Sequence, residues 1–347
     1  MRYSVVIPVY NRPDELDELL GSLSSQSEKD FEVVVVEDGS TLTAEKVCEK
    51  YSDKMNLRYF FKENGGPGPA RNYGVEKSEG EFVIILDSDC VLPDGYLEAV
   101  TKEIDEHDCD AFGGPDAAHE SFTDIQKAIS YSMTSFFTTG GIRGGKKKLD
   151  KFYPRSFNMG IKREVYMKMT GFSNMRFGED IDFSYRILEN GYTCRLFPEA
   201  WVWHKRRTDL RKFFKQVFNS GIARINLEKR HPGTMKLVHT LPMLFTVGVI
   251  SLVLLSVVLA VVPLAGGGHG CVTPQTALLP LVPLMLYALL IFSHSAHKHG
   301  NLWIGVLCVA AAYVQLVGYG LGFLKAWWLR CVLGKSEFAA FERNFYD

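Results

Sequence analysis

From Val238 to Ala265 the chain carries no charged or titratable side chain except His239. About 20 apolar residues are enough to cross the hydrocarbon core of a bilayer. Two further apolar runs follow, Ala277 to Phe292 and Leu302 to Leu324. Buried soluble helices can supply one such run, but three in succession read as transmembrane helices at about 238–265, 277–293 and 302–324. Residues 1 to 236 have ordinary soluble composition. The expected organisation is a soluble domain over 1–225 and a basic amphipathic membrane-interface segment over 205–236. Transmembrane segments within 237–325 and a cytoplasmic-type tail over 326–347 complete it. The opening MRYSVVIPVYNR lacks the long apolar core and small-residue cleavage site of a signal peptide, so the N-terminal part is expected in the cytoplasm.

The formal net charge of −1 argues against a general nucleic-acid binder. The seven cysteines form no CxxC pair and are odd in number. They imply neither a zinc site nor a disulfide framework, and a reducing compartment is the default.

The first 90 residues alternate between two periods. SVVIPV (4–9), FEVVVV (31–36), LRYFF (57–61) and EFVIIL (81–86) read as strands. Between them, Leu16, Leu19, Leu20 and Leu23 form one helix face, and TAEKVCEKY and ARNYGVEKS read as further helices. Asn11, before Pro13, Asp14 and Glu15, reads as an N-cap. Strands alternating with helices predict an α/β fold with a mostly parallel sheet covered on both faces. Ligands of such sheets bind beyond the carboxyl ends of the strands. Four successive strand ends carry polar residues: Tyr10-Asn11, Glu37-Asp38-Gly39-Ser40, the glycine-rich ENGGPGPARN, and Asp87-Ser88-Asp89. Gly, Asp, Asn and Ser are ordinary turn residues. Their recurrence at each end, with paired acids at two of them, points to one crevice.

Two carboxylates at i and i+2 repel unless a positive charge sits beside them. Oxygen ligands at a strand end suit a hard divalent ion, Mg²⁺ or Mn²⁺, which also accepts substrate phosphates. The chain holds no GxxxxGK[ST], and no GxGxxG follows the first strand. A P-loop nucleotide and a dinucleotide cofactor are therefore not expected. An Asp-x-Asp metal in a parallel sheet points to a diphosphate bound through the ion.

In these motifs the sequence resembles the family 2 glycosyltransferases of GT-A fold, of the membrane-anchored, bacterial type. VVIPVYNRPDELDELLGSLSSQ, VVVEDGS, GGPGPARNYG, ILDSD and GFSNMRFGEDIDFSYRILENGY stand in the family's order and spacing, over residues 3 to roughly 225. The resemblance implies that Pro8, Val9 and Tyr10 line the nucleotide, with Asp38 at the base or ribose. It puts Arg71 beside the base or diphosphate, Asp87 and Ser88 at the donor, and Asp89 on the metal with Asp87. Asp180 would be the catalytic base, with Glu179 beside it. His204 falls where many relatives carry a histidine near the metal, and its reading stays open between that role and a structural one. The chemistry accounts for the residue types. The ion stabilises the leaving diphosphate, and a base must reach the acceptor hydroxyl on the opposite side of the sugar. One displacement inverts the anomeric centre. Asp182, two positions on, is the weaker candidate for the base.

Ten basic residues lie between Lys205 and Lys236, opposed only by Asp209 and Glu228. Leu210, Phe213, Phe214, Val217, Phe218 and Ile222 share one helix face there. This reads as a helix lying in the membrane surface; a helix packed on the sheet is the alternative. GGIRGGKKKLDK (140–151) reads either as a contact for an anionic acceptor or as a solvated loop. The topology carries a conflict. The connection 266–276 has no Lys or Arg, whereas the tail carries Lys325, Arg330, Lys335 and Arg343. Basic loops stay cytoplasmic, and three full spans cannot leave both ends inside; either one run, the short proline-containing LLPLVPLMLYALLIF, is re-entrant, or the tail breaks the rule.

The expected activity is inverting transfer of a sugar from a nucleotide-sugar donor, UDP- or GDP-linked. The expected acceptor is a lipid-linked or envelope glycan. The expected location is the inner (plasma) membrane, multi-pass, with the catalytic domain cytoplasmic and Mg²⁺ or Mn²⁺ as cofactor. The alternatives are a polyprenyl-phosphate sugar transferase, a processive polysaccharide synthase (whose QxxRW motif has no match at Gln216) and a non-catalytic membrane scaffold.

Overall fold

The structure is a computed structural model that describes residues 1–117, 122–139, 152–265 and 275–341. The whole basic loop 140–151, most of the connection 266–276 and the tail beyond 341 lie outside the described residues. Along the chain come β1 (Tyr3–Val9), α1 (Pro13–Ser24), β2 (Phe31–Asp38), α2 (Glu45–Tyr51), β3 (Asn56–Lys62), α3 (Pro67–Lys77) and β4 (Phe82–Leu86). Next are β5 (Cys90–Val91), α4 (Tyr96–Glu106), β6 (Ala111–Gly113), β7 (Asp116–Ala117), α5 (Asp124–Thr134) and α6 (Phe136–Thr139). They are followed by β8 (Asn158–Lys162), α7 (Arg163–Lys168), α8 (Glu179–Glu189), β9 (Cys194–Leu196) and β10 (Val202–His204). The rest is helical: α9 (Leu210–Arg230), α10 (Leu237–Ala265), a 3₁₀ segment Thr276–Leu281, α11 (Val282–His299), α12 (Leu302–Trp327) and α13 (Glu337–Phe341).

The chain divides into two compact units, Met1–Glu120 with Lys146–Lys205 and Ser121–Gly145 with Arg206–Asp347. In the first unit, seven strands form one sheet in the order β3-β2-β1-β4-β8-β6-β9. The four strands expected from sequence are its parallel core, because β1 pairs with both β2 and β4, and β2 with β3. β8 then runs antiparallel to β4 and β6. The central strands read as continuous Val/Ile runs because both faces are covered. Val5, Ile7, Val33 and Val35 pack on Leu16, Leu19, Leu20 and Leu23 of α1. Val6, Val34 and Val36 pack with Ala70 and Val75 of α3 on the other face.

Asn11 is not the cap expected from sequence. The residue before α1 is Arg12, whose side chain makes no cap. Asn11 sits at φ 53°. Its side-chain oxygen accepts from the Thr41 and Leu42 backbone N–H groups, each at 2.9 Å. Pro13 starts the helix without a donor to satisfy, so Asn11 is left to tie the first strand end to the second.

In the second unit, α12 is the central helix, with α5, α9, α10 and α11 against it. The expected end of the soluble domain at 225 falls inside α9, which belongs to this unit. Among the described residues, three segments are long and apolar enough to cross a membrane: Leu237–Val261, Thr276–His299 and Leu302–Val332.

A candidate active site

The carboxyl ends of β1, β2 and β4 place Tyr10, Asp38 and Asp87-Ser88-Asp89 along one edge of the sheet. Tyr10 is exposed there, whereas Val9 is buried beneath it. Asp38 is held from three sides. Its Oδ1 accepts from Lys62 Nζ at 2.6 Å and from the Gly65 N–H at 2.9 Å, and its Oδ2 from the Gly66 N–H at 2.8 Å. This carboxylate organises the glycine-rich loop that leads into α3.

Arg71, on α3, links the two acidic motifs. One guanidinium nitrogen lies 2.8 Å from Asp87 Oδ1 and the other 3.0 Å from Glu179 Oε1. The side chain is almost fully buried. Burial disfavours its charge, but Asp87 and Glu179 outweigh that and hold the guanidinium protonated. Asp87 and Glu179, 92 positions apart in sequence, are thereby neighbours.

Asp89 sits on the turn into β5 and takes a different cation. Arg12 Nη1 lies 2.9 Å from its Oδ2 and His204 Nε2 lies 3.1 Å from its Oδ1. His204 reaches this point because β10 pairs antiparallel with β5, setting His204 opposite Cys90. Its ring also stacks on Phe157, with centroids 4.9 Å apart. Asp89, Cys90 and His204 each bring one ligand atom within 4.8 Å of the others. The Cys90 thiol is pushed well above its ordinary value by burial, and it donates to the Phe157 carbonyl at 3.4 Å. A hard divalent ion therefore fits the carboxylate and imidazole of this set and not its sulfur. Asp87 lies outside the set, with Oδ1 facing Arg71.

The second acid pair opens α8. Gly178, at φ 85°, makes the left-handed turn that starts the helix. Glu179, Asp180 and Asp182 then fall in the first turn, where the helix dipole favours negative charge. Asp180 Oδ2 accepts from Arg155 Nε at 2.6 Å, and its Oδ1 from the Ile181 N–H at 2.9 Å. The environments split the pair. Burial pushes the Glu179 carboxyl up, Arg71 opposes this, and the Asp180 charge reinforces it. Burial would also raise Asp180, but the Arg155 guanidinium outweighs it and holds the carboxyl below the usual range. Asp182 is fully enclosed and accepts from Ser173 Oγ at 2.7 Å and Arg186 Nε at 3.0 Å.

Sequence reading missed Arg12 and Arg155. Arg12 follows the first strand end directly and was legible there as a cation beside the acids. Arg155 lies in an irregular segment, and nothing in its local pattern distinguishes it.

A family model, Glycosyl transferase family 2, matches residues 4–170. Over 114 residues the chain is 42% identical to the poly(ribitol-phosphate) beta-N-acetylglucosaminyltransferase TarS of Staphylococcus aureus. That match covers 32% of this chain and 20% of TarS. It is 27% identical over 213 residues to the minor teichoic acid biosynthesis protein GgaB of Bacillus subtilis, covering 60% of this chain and 23% of GgaB. The matches thus span about a fifth of these relatives' own lengths. Among solved structures, the mannosyltransferase PcManGT of Pyrobaculum calidifontis, in complex with GDP-Man and Mn²⁺, superposes with a TM-score of 0.56 at 17% identity. That alignment covers 91% of this chain and 87% of the other, and it supports the fold. The sheet order and the likeness to PcManGT agree on a GT-A fold, within which residues 4–170 match the glycosyl transferase family 2 domain.

Proposed function

We propose that the protein is an inverting, metal-dependent glycosyltransferase that moves a sugar from a nucleotide-sugar donor to a lipid-linked or envelope-glycan acceptor at the cytoplasmic membrane face. The observation that carries this reading is the Asp87–Arg71–Glu179 link, which joins the acids of the β4 end to those of the α8 start. TarS, by name a poly(ribitol-phosphate) beta-N-acetylglucosaminyltransferase, and GgaB, by name a minor teichoic acid biosynthesis protein, support an envelope-glycan acceptor. PcManGT, holding GDP-Man and Mn²⁺, supports a sugar nucleotide and a divalent ion.

Pro8, Val9, Tyr10, Asp38 and Ser88 shape the nucleotide end of the crevice, and Arg71 and Asp87 stand beside the diphosphate. Asp89 and His204 would hold Mg²⁺ or Mn²⁺, which supplies Lewis-acid stabilisation of the leaving diphosphate. Asp180 takes the acceptor hydroxyl proton as the oxygen attacks the anomeric carbon, and the bond from that carbon to the diphosphate oxygen breaks on the opposite side. Glu179, tied to Arg71, sets the field at Asp180. Arg155 keeps Asp180 ionised in the resting site and must yield its place when the acceptor hydroxyl arrives.

Thermal-shift titration of UDP- and GDP-sugars with and without Mn²⁺, on the full chain and on Asp89→Ala, tests the reading. The full chain should show a sugar-nucleotide shift that needs Mn²⁺, and the variant should lose the Mn²⁺-dependent part. An unchanged Mn²⁺ dependence in Asp89→Ala removes the metal assignment. No shift and no turnover with any sugar nucleotide removes the enzyme reading.

A further inference from the structure

The helix α9 runs beside α12 in the same direction. Val217 lies against Gly318, Phe218 against Gly322, and Gly221 against Tyr319 and Phe323. Further along, Arg330 Nε donates to Asn226 Oδ1 at 2.9 Å, and Arg230 pairs with Glu337 at 3.3 Å. Residue numbers rise together along α9 and along α12 with the residues that follow it, so the pairing is parallel. It is also close. A Cβ on Gly322 would fall on the Phe218 carbonyl, one on Gly221 on the Tyr319 carbonyl, and one on Gly318 2.7 Å from Val217 Cγ2. Two backbones in such contact lie at one depth relative to any membrane.

The outer face of α9 exposes Arg211, Lys212, Lys215, Lys229 and Arg230. Charged side chains facing hydrocarbon are strongly disfavoured. Chain direction gives a second, independent argument. If α12 crossed the bilayer, α9 beside it would cross in the same direction, and α10 would start on the far side. α10 would then return, α11 would go out again, and α12 would have to run back, antiparallel to α9. The observed pairing is parallel.

Burial separates the same helices. In their most apolar stretches, 6% of the Leu237–Val261 segment and 11% of Thr276–His299 is buried, against 44% of Leu302–Val332. Leu244, Val247, Ile250, Leu254 and Val258 of α10 are exposed through its length, as are Leu278, Met285, Leu286 and Leu289 before and within α11. The large exposed apolar residues of α12 are confined to its first two turns and its end, among them Trp303 and Trp327. Its apolar middle is covered by protein.

We propose that lipid hydrocarbon is the partner of α10 and α11 only. These two cross the bilayer as a hairpin, and α12 lies with α9 outside the hydrocarbon core. The C-terminal tail then returns to the side on which α10 begins. This places Lys229, Arg230, Lys236, Lys325, Arg330 and Lys335 on one side and the 266–276 connection, which has no Lys or Arg, on the other. That is the arrangement favoured by the bias of basic residues toward the cytoplasm, and it removes the parity conflict of three spans.

The test is independent of the sugar-transfer reading. Single cysteines are placed at the exposed positions Leu42, Gln275 and Ser336 of the full chain, in a background with Cys271 and Cys331 replaced by serine. Intact and permeabilised cells are treated with a membrane-impermeant maleimide. Leu42→Cys and Ser336→Cys should label on one side and Gln275→Cys on the other. Ser336→Cys labelling on the side opposite Leu42→Cys means an odd number of crossings and overturns the proposal. Gln275→Cys labelling with Leu42→Cys, or on neither side, overturns it as well.

Discussion

Asp180 stands under opposed pressures: burial raises its carboxyl, and Arg155 with Arg71 lowers it further than burial lifts it. Asp180→Asn keeps the shape but cannot take a proton, so kcat should fall by about 10²- to 10⁴-fold. Donor Kd should hold, because the proposed nucleotide contacts lie at the strand ends and not on α8. Asp182→Asn should do the reverse. It weakens a charged link to Arg186 inside the fold, so Tm should drop with a cost of about 1.5–3 kcal/mol, and kcat of the folded fraction should survive. A dead Asp182→Asn with an active Asp180→Asn would move the base by two positions. Arg155→Gln tests the split directly. Removing the guanidinium leaves burial to push Asp180 up, so its carboxylate protonates at higher pH than in the parent. The acid limb of the kcat profile should therefore shift toward neutral pH. The sign for stability follows from linkage. The depressed Asp180 contributes stability that is present above its unfolded value of about 3.9 and is lost as pH falls through its folded value. An acid limb that does not move in Arg155→Gln would point to a base other than Asp180.

At the scale of elements, the seam between α9 and α12 brings two backbones into close contact within the second unit. Small residues let the two backbones meet, and the polar pairs Asn226–Arg330 and Arg230–Glu337 close its far end. Gly221→Leu would drive a side chain into the Tyr319 carbonyl. Overpacking of this kind costs about 1–3 kcal/mol. The expected result is a lower unfolding temperature in detergent, with faster proteolysis between residues 206 and 236. An unchanged unfolding temperature would mean the two helices do not meet there. In the first unit the small sheet β5-β10-β7 serves the site instead. Its three short strands carry His204 back to Asp89 across more than a hundred positions of sequence.

For the whole molecule, membrane retention should rest on α10 and α11. Val253 and Val257 lie one turn apart on an exposed face of α10. An arginine near the centre of a span costs about 2.5–3.5 kcal/mol. The Val253→Arg/Val257→Arg chain should shift from the pellet toward the supernatant after an alkaline carbonate wash, whereas the parent chain stays in the pellet. Equal retention of both would show that other surfaces hold the protein to the membrane.

Much was legible without coordinates, wherever the physics is local. The Val/Ile runs of β1, β2 and β4 and the leucine face of α1 declare themselves by period, because burial on both faces or on one stripe is written residue by residue. The turn residues at the strand ends mark one edge, because parallel strands must end on the same side. Apolar length marks the three helices near the C-terminus, because hydrocarbon tolerates little else. What tertiary structure decided is who meets whom. Asn11 looked like a cap, yet its side chain binds the backbone of the next strand's loop, a partner 30 positions away. That Asp38 also binds Lys62 and the backbone of the glycine-rich loop, 24 to 28 positions away, is likewise a matter of the fold. Arg12 and Arg155 enter the site only because the fold sets them against Asp89 and Asp180. The helix α12 has the composition of a span, but apolar composition is the same whether lipid or protein covers it. Only the parallel helix packed along it distinguishes the two, because depth and direction are properties of neighbours and not of a single segment.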